Sequence, residues 1–293
     1  MDLRECTGAL WRRRIHANPS VSLLAKKSHS KWSPIHYNGF AFYFVMEKEP
    51  FSQITNKGQP VFYRFIDKQA KETVVFIHGL FSSSSIFRHF LGLMEKNVIL
   101  VELRGIVYSK CERPFLENYV EDIRMILERE KIENNVTLVG YSLGCSIANL
   151  FAEKYSERVN KVVMLAPINK TFKQIGERNF IKTLMKSLGK NFFKKWKNYR
   201  RLENRWPFYK IFSLFNLRLL RDTYQKIEFT EKCAIVILNG MLDTFFDPED
   251  QHLKMPNIVQ ERIDDLDHYL FLTSEKISLV SKRLIPLLET VKV

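Results

Sequence analysis

The stretch VTLVGYSLGCSIANLFAEKY, Val136 to Tyr155, restricts the fold more than any other part of the chain. Val136, Leu138 and Val139 form an apolar run of the kind buried in a parallel sheet. Ile147, Ala148, Phe151 and Ala152 recur at helical spacing. Between the two, Gly140-Tyr141-Ser142-Leu143-Gly144 leaves room only for a very tight turn. This G-x-S-x-G pattern exposes a serine oxygen at a strained turn tip, provided that neighbouring backbones pass close to both glycines. The first amides of the following helix point at the space above the serine and suit a developing oxyanion. The stretch therefore predicts strand, elbow and helix, with Ser142 as the candidate nucleophile.

The flanking sequence repeats the same alternation. Thr73 to Ile77, Val98 to Leu103, Lys161 to Ala166 and Cys233 to Leu238 are short apolar runs that read as buried strands, and Asn257 to Ile263 reads as a last one. Ile86 to Lys96, Asn118 to Lys131 and Ile277 to Leu288 carry helical periodicity. Phe40 to Val45 and Val61 to Ile66 read as two earlier strands, with Lys57-Gly58-Gln59-Pro60 as the turn before the second. Strands alternating with helices predict an α/β class fold. Its sheet is mostly parallel with right-handed crossovers and helices on both faces.

At Lys170 the pattern changes. Up to Lys232 there is no short apolar strand, only basic and aromatic stretches such as FFKKWKNYRRL. Phe208, Ile211, Phe212, Phe215 and Leu219 recur as on one face of an amphipathic helix. The predicted organisation is a basic extension over 1–36, a first core part over 37–168, a helical insertion over 169–232 and a second core part over 233–293. The net charge of +14 follows these divisions. The insertion holds 17 Lys/Arg against five Asp/Glu, whereas residues 37–168 hold 16 against 15.

The four cysteines, Cys6, Cys111, Cys145 and Cys233, form no C-x-x-C pair, which argues against a disulfide scaffold and for a reducing, cytoplasmic compartment. Residues 1–36 are rich in Arg and Ser and poor in acid, so mitochondrial targeting is the alternative. No apolar run approaches 18 residues, so no membrane-spanning helix is expected. No cluster of His, Cys, Asp and Glu has the spacing of a metal site, and no cofactor is implied.

Further along the chain, Asp243 follows the strand Cys233 to Leu238, and His268 follows the strand Asn257 to Ile263. Asp247 competes with Asp243, which lies nearer its strand end. With His78-Gly79 after an early strand, the elbow at Gly140 to Gly144, then Asp243 and His268, the chain resembles the α/β-hydrolase superfamily, whose members carry Ser, Asp and His in that order. The resemblance covers residues 60–293, apart from the insertion.

It implies Ser142 as nucleophile, His268 as the base that takes and returns its proton, and Asp243 as the group that orients the imidazole. The backbone amides of Leu80 and Leu143 would form the oxyanion hole. His78 would support the oxyanion loop, and Ser82 to Ser85 would be capping and loop residues. The insertion falls where that family carries a lid. One departure is Arg104-Gly105-Ile106-Val107-Tyr108-Ser109, where members often have Arg-Gly-His-Gly.

The implied activity is hydrolysis of a carboxylic ester or thioester through an acyl-enzyme. The alternatives are an acyltransferase on the same scaffold, or a catalytically silent binding protein that uses the basic lid. The expected partner is an acyl or lipid-like substrate. The lid charge reads as a solvated surface, or as a contact for an acidic carrier protein, another anionic substrate group or an anionic membrane surface. Nucleic acid is disfavoured, because the basic residues sit on a lid over a complete set of Ser, Asp and His.

Overall fold

The computed structural model describes residues 51–80, 82–105, 115–170, 228–271 and 273–289. Within them eight strands form one sheet: β1 (Ser52–Asn56), β2 (Gln59–Ile66), β3 (Thr73–Ile77), β4 (Asn97–Glu102), β5 (Val136–Tyr141), β6 (Val159–Leu165), β7 (Ala234–Gly240) and β8 (Ile258–Ile263). Their spatial order is β1-β2-β4-β3-β5-β6-β7-β8. The pairings β1–β2 and β2–β4 are antiparallel, and all the others are parallel. The expected strand Phe40–Val45, the extension over 1–36 and nearly all of the insertion over 169–232 lie outside the described residues.

The continuous apolar runs are explained by burial on both faces. Val75 and Ile77, Ile99 and Val101, Val162 and Met164, and Ile235 and Ile237 point to one side. There they meet helices α1 (Leu116–Arg129) and α2 (Leu143–Lys154). Their alternates Val74 and Phe76, Val98 and Leu100, Val163 and Leu165, and Val236 and Leu238 point to the other side. That face is covered by a 3-10 helix, Ser84–Leu93, and by helix α3 (Ser274–Glu289). Each fully buried aliphatic or aromatic side chain contributes about 1.5–3 kcal/mol.

Two elements differ from the sequence reading. The segment expected as a helix over Ile86 to Lys96 is a 3-10 helix ending at Leu93. Phe87 and Phe90 are three residues apart and both fully buried. That spacing puts them on one face of a helix with three residues per turn. Lys96 leaves the helix to donate to Glu72 (2.5 Å) and to the Leu288 carbonyl, while Lys161 donates to the Leu287 carbonyl (2.5 Å). Two cations thus meet the negative end of α3, and burial lowers the Lys161 pKa from its ordinary value.

The second difference is β1. Lys57 (φ 50°) and Gly58 (φ 74°) are the two loop residues of a hairpin, and Gln59 and Pro60 belong to β2 itself. The inward residues of β1 are Ile54 and Asn56, so its alternation carries a single apolar side chain.

Asn56 is buried because it serves a polar network. Its Nδ2 donates to Asp122 Oδ1 (2.6 Å), Arg104 Nε donates to Asp122 Oδ2 (2.7 Å), and Tyr119 Oη donates to the Arg104 carbonyl (2.8 Å). The network ties the hairpin and the end of β4 to α1. Burial pushes the Asp122 carboxyl up to about 6, against the opposing pull of Asn56 and Arg104. A carboxyl raised in the folded state contributes stability that is present at low pH and lost as pH rises through about 6. Arg104→Ala is expected to cost about 3–5 kcal/mol near neutral pH, because it strands a buried carboxylate. Urea unfolding across pH 4–8 would show this deficit shrinking in acid, where Asp122 takes up a proton.

Candidate active site

The site forms at the carboxyl ends of β3, β5, β7 and β8, where open α/β sheets offer a crevice. The chain leaves β5 at Ser142, whose backbone is held at φ 52° and ψ −115°. A non-glycine residue there is strained by about 1–3 kcal/mol. The surrounding backbone fixes it: Ser142 N–H donates to the Leu165 carbonyl (3.0 Å), and Cys145 N–H donates to the Ser142 carbonyl (2.9 Å). The two elbow glycines permit the approach. A Cβ on Gly140 would stand 2.4 Å from the Gly144 carbonyl oxygen, and one on Gly144 would stand 2.1 Å from the Ile77 carbonyl oxygen.

Ser142 Oγ lies 2.9 Å from His268 Nε2, and His268 Nδ1 lies 2.9 Å from Asp243 Oδ2. With Nδ1–H donating to the carboxylate, Nε2 is left as the acceptor for the serine hydroxyl. Each partner is itself held. Asp243 Oδ1 accepts the Phe245 N–H (2.9 Å), and Tyr141 Oη donates to the His268 carbonyl (2.9 Å). Phe245 meets the imidazole edge-to-face at 4.8 Å between ring centres. Complete burial pushes the Tyr141 hydroxyl well above its ordinary pKa, so it stays a donor.

The loops bearing Asp243 and His268 converge through Gly240, where an added Cβ would stand 2.0 Å from the Leu266 carbonyl oxygen. Leu242 N–H donates to that same carbonyl (2.9 Å). On the other side of Ser142 runs the loop after β3, with Leu80 half-buried. Leu143 opens α2, so its N–H is one of the helix-start amides without an intrahelical acceptor. Among the described residues, neither the Leu80 nor the Leu143 amide donates to a backbone carbonyl. Residues 72–226, more than half of the chain, match the sequence model of the alpha/beta hydrolase fold.

The chain belongs to the alpha/beta hydrolase fold family. It is 25% identical over 163 residues to ethanol acetyltransferase 1 of Cyberlindnera jadinii, which covers 52% of this chain and 48% of that one. It is 27% identical over 135 residues to putative esterase/lipase 2 of Mycoplasma pneumoniae, covering 44% and 50% of the two chains. The chain thus spans about half the length of these relatives. Among solved structures, it resembles the alpha/beta hydrolase enzyme MGS-M2 from a Medee basin deep-sea metagenome library. There the TM-score is 0.63 and the identity 18%, over 83% of this chain and 98% of that one. A thermophilic esterase from Thermogutta terrifontis superposes with a TM-score of 0.61 at 18% identity, over 84% and 100% of the two chains.

The remaining candidates of this hydrolase-fold chain take other places. Asp247 accepts the Glu249 N–H (3.1 Å), and its own N–H donates to Asn169 Oδ1 (2.7 Å). It therefore braces the loop where the insertion begins. Asp264 and Asp265 are exposed, and Asp267 pairs with Lys276. Cys145 is fully buried, its thiol pushed well above the ordinary pKa by desolvation and donating to the Gly140 carbonyl (3.2 Å). Ser83, at the start of the 3-10 helix, makes no side-chain cap; its hydroxyl meets that of Ser85 at 2.7 Å. Ser84 turns inward to Glu102, a residue the sequence reading did not single out. Ser109 lies outside the described residues.

Proposed function

We propose that this chain is a serine hydrolase that cleaves a carboxylic ester or thioester through an acyl-enzyme. The observation that carries this reading is the line from Ser142 Oγ through His268 to Asp243, two contacts of 2.9 Å each, at a strained elbow. Ser142 Oγ would attack the carbonyl carbon as its proton passes to His268 Nε2. The oxyanion would accept from the Leu80 and Leu143 amides. Collapse would break the bond to the leaving alcohol or thiol, which takes the proton from Nε2. Water would then repeat the sequence on the acyl-serine. Asp243 would hold the ring in the tautomer that keeps Nε2 free and would stabilise the imidazolium as it forms.

A second reading has an alcohol replace water in the second half. It is favoured by the similarity to proteins named ethanol acetyltransferase. A catalytically silent binding protein is disfavoured, since binding alone has no need of a strained serine aligned with His268.

A fluorophosphonate probe with mass-spectrometric mapping is expected to find the adduct on Ser142. An adduct within Ser82–Ser85 or on Ser109, with Ser142 untouched, would overturn the reading. A panel of p-nitrophenyl esters of rising chain length, run with and without ethanol, separates hydrolysis from acyl transfer. The same panel at low and moderate salt, beside an acyl substrate on an acidic carrier, tests a role for the charge of residues 169–232. Steering by exposed charge is screened beyond about 8–10 Å, so salt should slow only the anionic substrate.

A further inference from the structure

We propose that Glu102 is a positioning residue that sets the loop from His78 to Ser84, and with it the Leu80 amide, against Ser142. The proposal rests on the reading of the site given above.

The loop is gripped at both ends by residues at the end of β4. At its far end, Ser84 N–H donates to Glu102 Oε1 (3.2 Å), and Ser84 Oγ donates to the same oxygen. At its near end, His78 Nδ1–H donates to the Gly79 carbonyl (2.8 Å), and Leu103 N–H donates to Nε2 (3.1 Å). Glu102 Oε2 stands 3.4 Å from that same Nε2 and has no hydrogen-bond partner among the described residues. His78, Ser84 and Glu102 are buried to within 3% of full burial.

An acidic side chain so enclosed, with one oxygen unpaired, is a poor choice for stability. An apolar residue of similar volume is often as good or better in such a place. What the carboxyl supplies is direction: one group stands against both His78 and Ser84, the two ends of the loop.

The loop also has little freedom toward the elbow. A Cβ on Gly79 would stand 3.0 Å from Ser142 Cβ and 3.2 Å from the Tyr141 carbonyl oxygen. Gly79 therefore rests directly on the turn that carries the nucleophile, and Leu80 is the next residue. Release of the Glu102 end would let this loop lift from the elbow and draw the Leu80 amide away from the developing oxyanion. Substrate binding elsewhere would be untouched, so the loss should appear in kcat and not in KM.

The test compares Glu102→Leu, Glu102→Gln and Ser84→Ala, each scored per folded molecule by circular dichroism and thermal unfolding. Losing one oxyanion donor lowers kcat by about 10²–10³. Glu102→Leu should therefore fold and lose about 10²-fold in kcat, with KM within about threefold. Its affinity for an arylboronic acid, which presents an oxyanion when bound to serine, should fall in parallel. Glu102→Gln keeps the side-chain volume and an acceptor for Ser84, so it should restore kcat to within about threefold. Should Glu102→Leu fail to fold, Ser84→Ala carries the test, with an expected loss of about tenfold in kcat at unchanged KM.

A folded Glu102→Leu with wild-type kcat overturns the proposal, as does a Glu102→Gln protein as impaired as Glu102→Leu. Wild-type kcat in Ser84→Ala, where it carries the test, overturns it too. Wild-type protein that forms no Ser142 adduct overturns the hydrolase reading, and this proposal with it.

Discussion

Ser142→Ala is expected to lower kcat by about 10⁴- to 10⁶-fold while leaving the fold intact. The Ser142 hydroxyl oxygen lies 2.9 Å from His268 Nε2, whereas the nearby Cys145 thiol is fully buried, with its pKa raised by desolvation. What survives would come from the oxyanion amides and from substrate binding. Alanine keeps the strain of φ 52°, whereas glycine adopts that conformation freely. Ser142→Gly should therefore be as dead as Ser142→Ala yet at least as resistant to urea. Turnover of an activated ester, normalised to folded protein, and the loss of fluorophosphonate labelling are the measurements. An alanine variant that retains a tenth of wild-type kcat would remove Ser142 from its role.

Asp243→Asn is expected to cost about 10⁴-fold in kcat, as asparagine does in this position of other Ser-His-Asp sets. An asparagine fits the space but can turn its amide nitrogen toward His268 Nδ1. The ring then presents Nε2–H to the serine and has no lone pair with which to take its proton. Asp247→Asn should change kcat by less than about threefold, because that carboxylate accepts a turn N–H from Glu249 (3.1 Å) and lies off the Ser142–His268–Asp243 line. Two side chains four residues apart are thus predicted to differ by more than three orders of magnitude. A crippled Asp247→Asn beside a nearly normal Asp243→Asn would reverse the assignment. The pH profile gives a second check: Asp243→Asn should recover part of its rate in alkaline solution, where hydroxide substitutes for the missing base.

The parts of the fold that were legible share one physical property. The middle of each of β3 to β7 is buried on both faces, so it reads as a mainly apolar run, and a glycine, proline or polar residue follows it. β1 escaped because one of its two inward positions is Asn56, which pays for burial through Asp122, a partner 66 residues away. The 3-10 helix reads as a helix without its type, because an apolar spacing of three residues fits both helix types.

At the site, the order Ser142, Asp243, His268 singled out three residues that lie within hydrogen-bond distance. That order shows each at the end of a strand, which is where a parallel sheet brings distant segments together. Glu102 gave no such signal. In the run VILVELRG it reads as the polar end of a strand, and its significance lies in two residues of another loop, His78 and Ser84.

The spacing of the site along the chain has a consequence for the newborn protein. Ser142 precedes His268 by 126 residues, with three strands, β6, β7 and β8, between them. At a synthesis rate of about 5–20 residues per second, the serine leaves the ribosome roughly 6–25 s before the histidine. During that interval Ser142 lacks its contact with His268, and β6, β7 and β8 are still being added to the sheet. Under the proposed mechanism the growing chain would carry an inert alcohol past any ester or thioester it meets. Reactivity would then arrive late, once β8 pairs with β7 and brings His268 to within hydrogen-bond distance of Ser142.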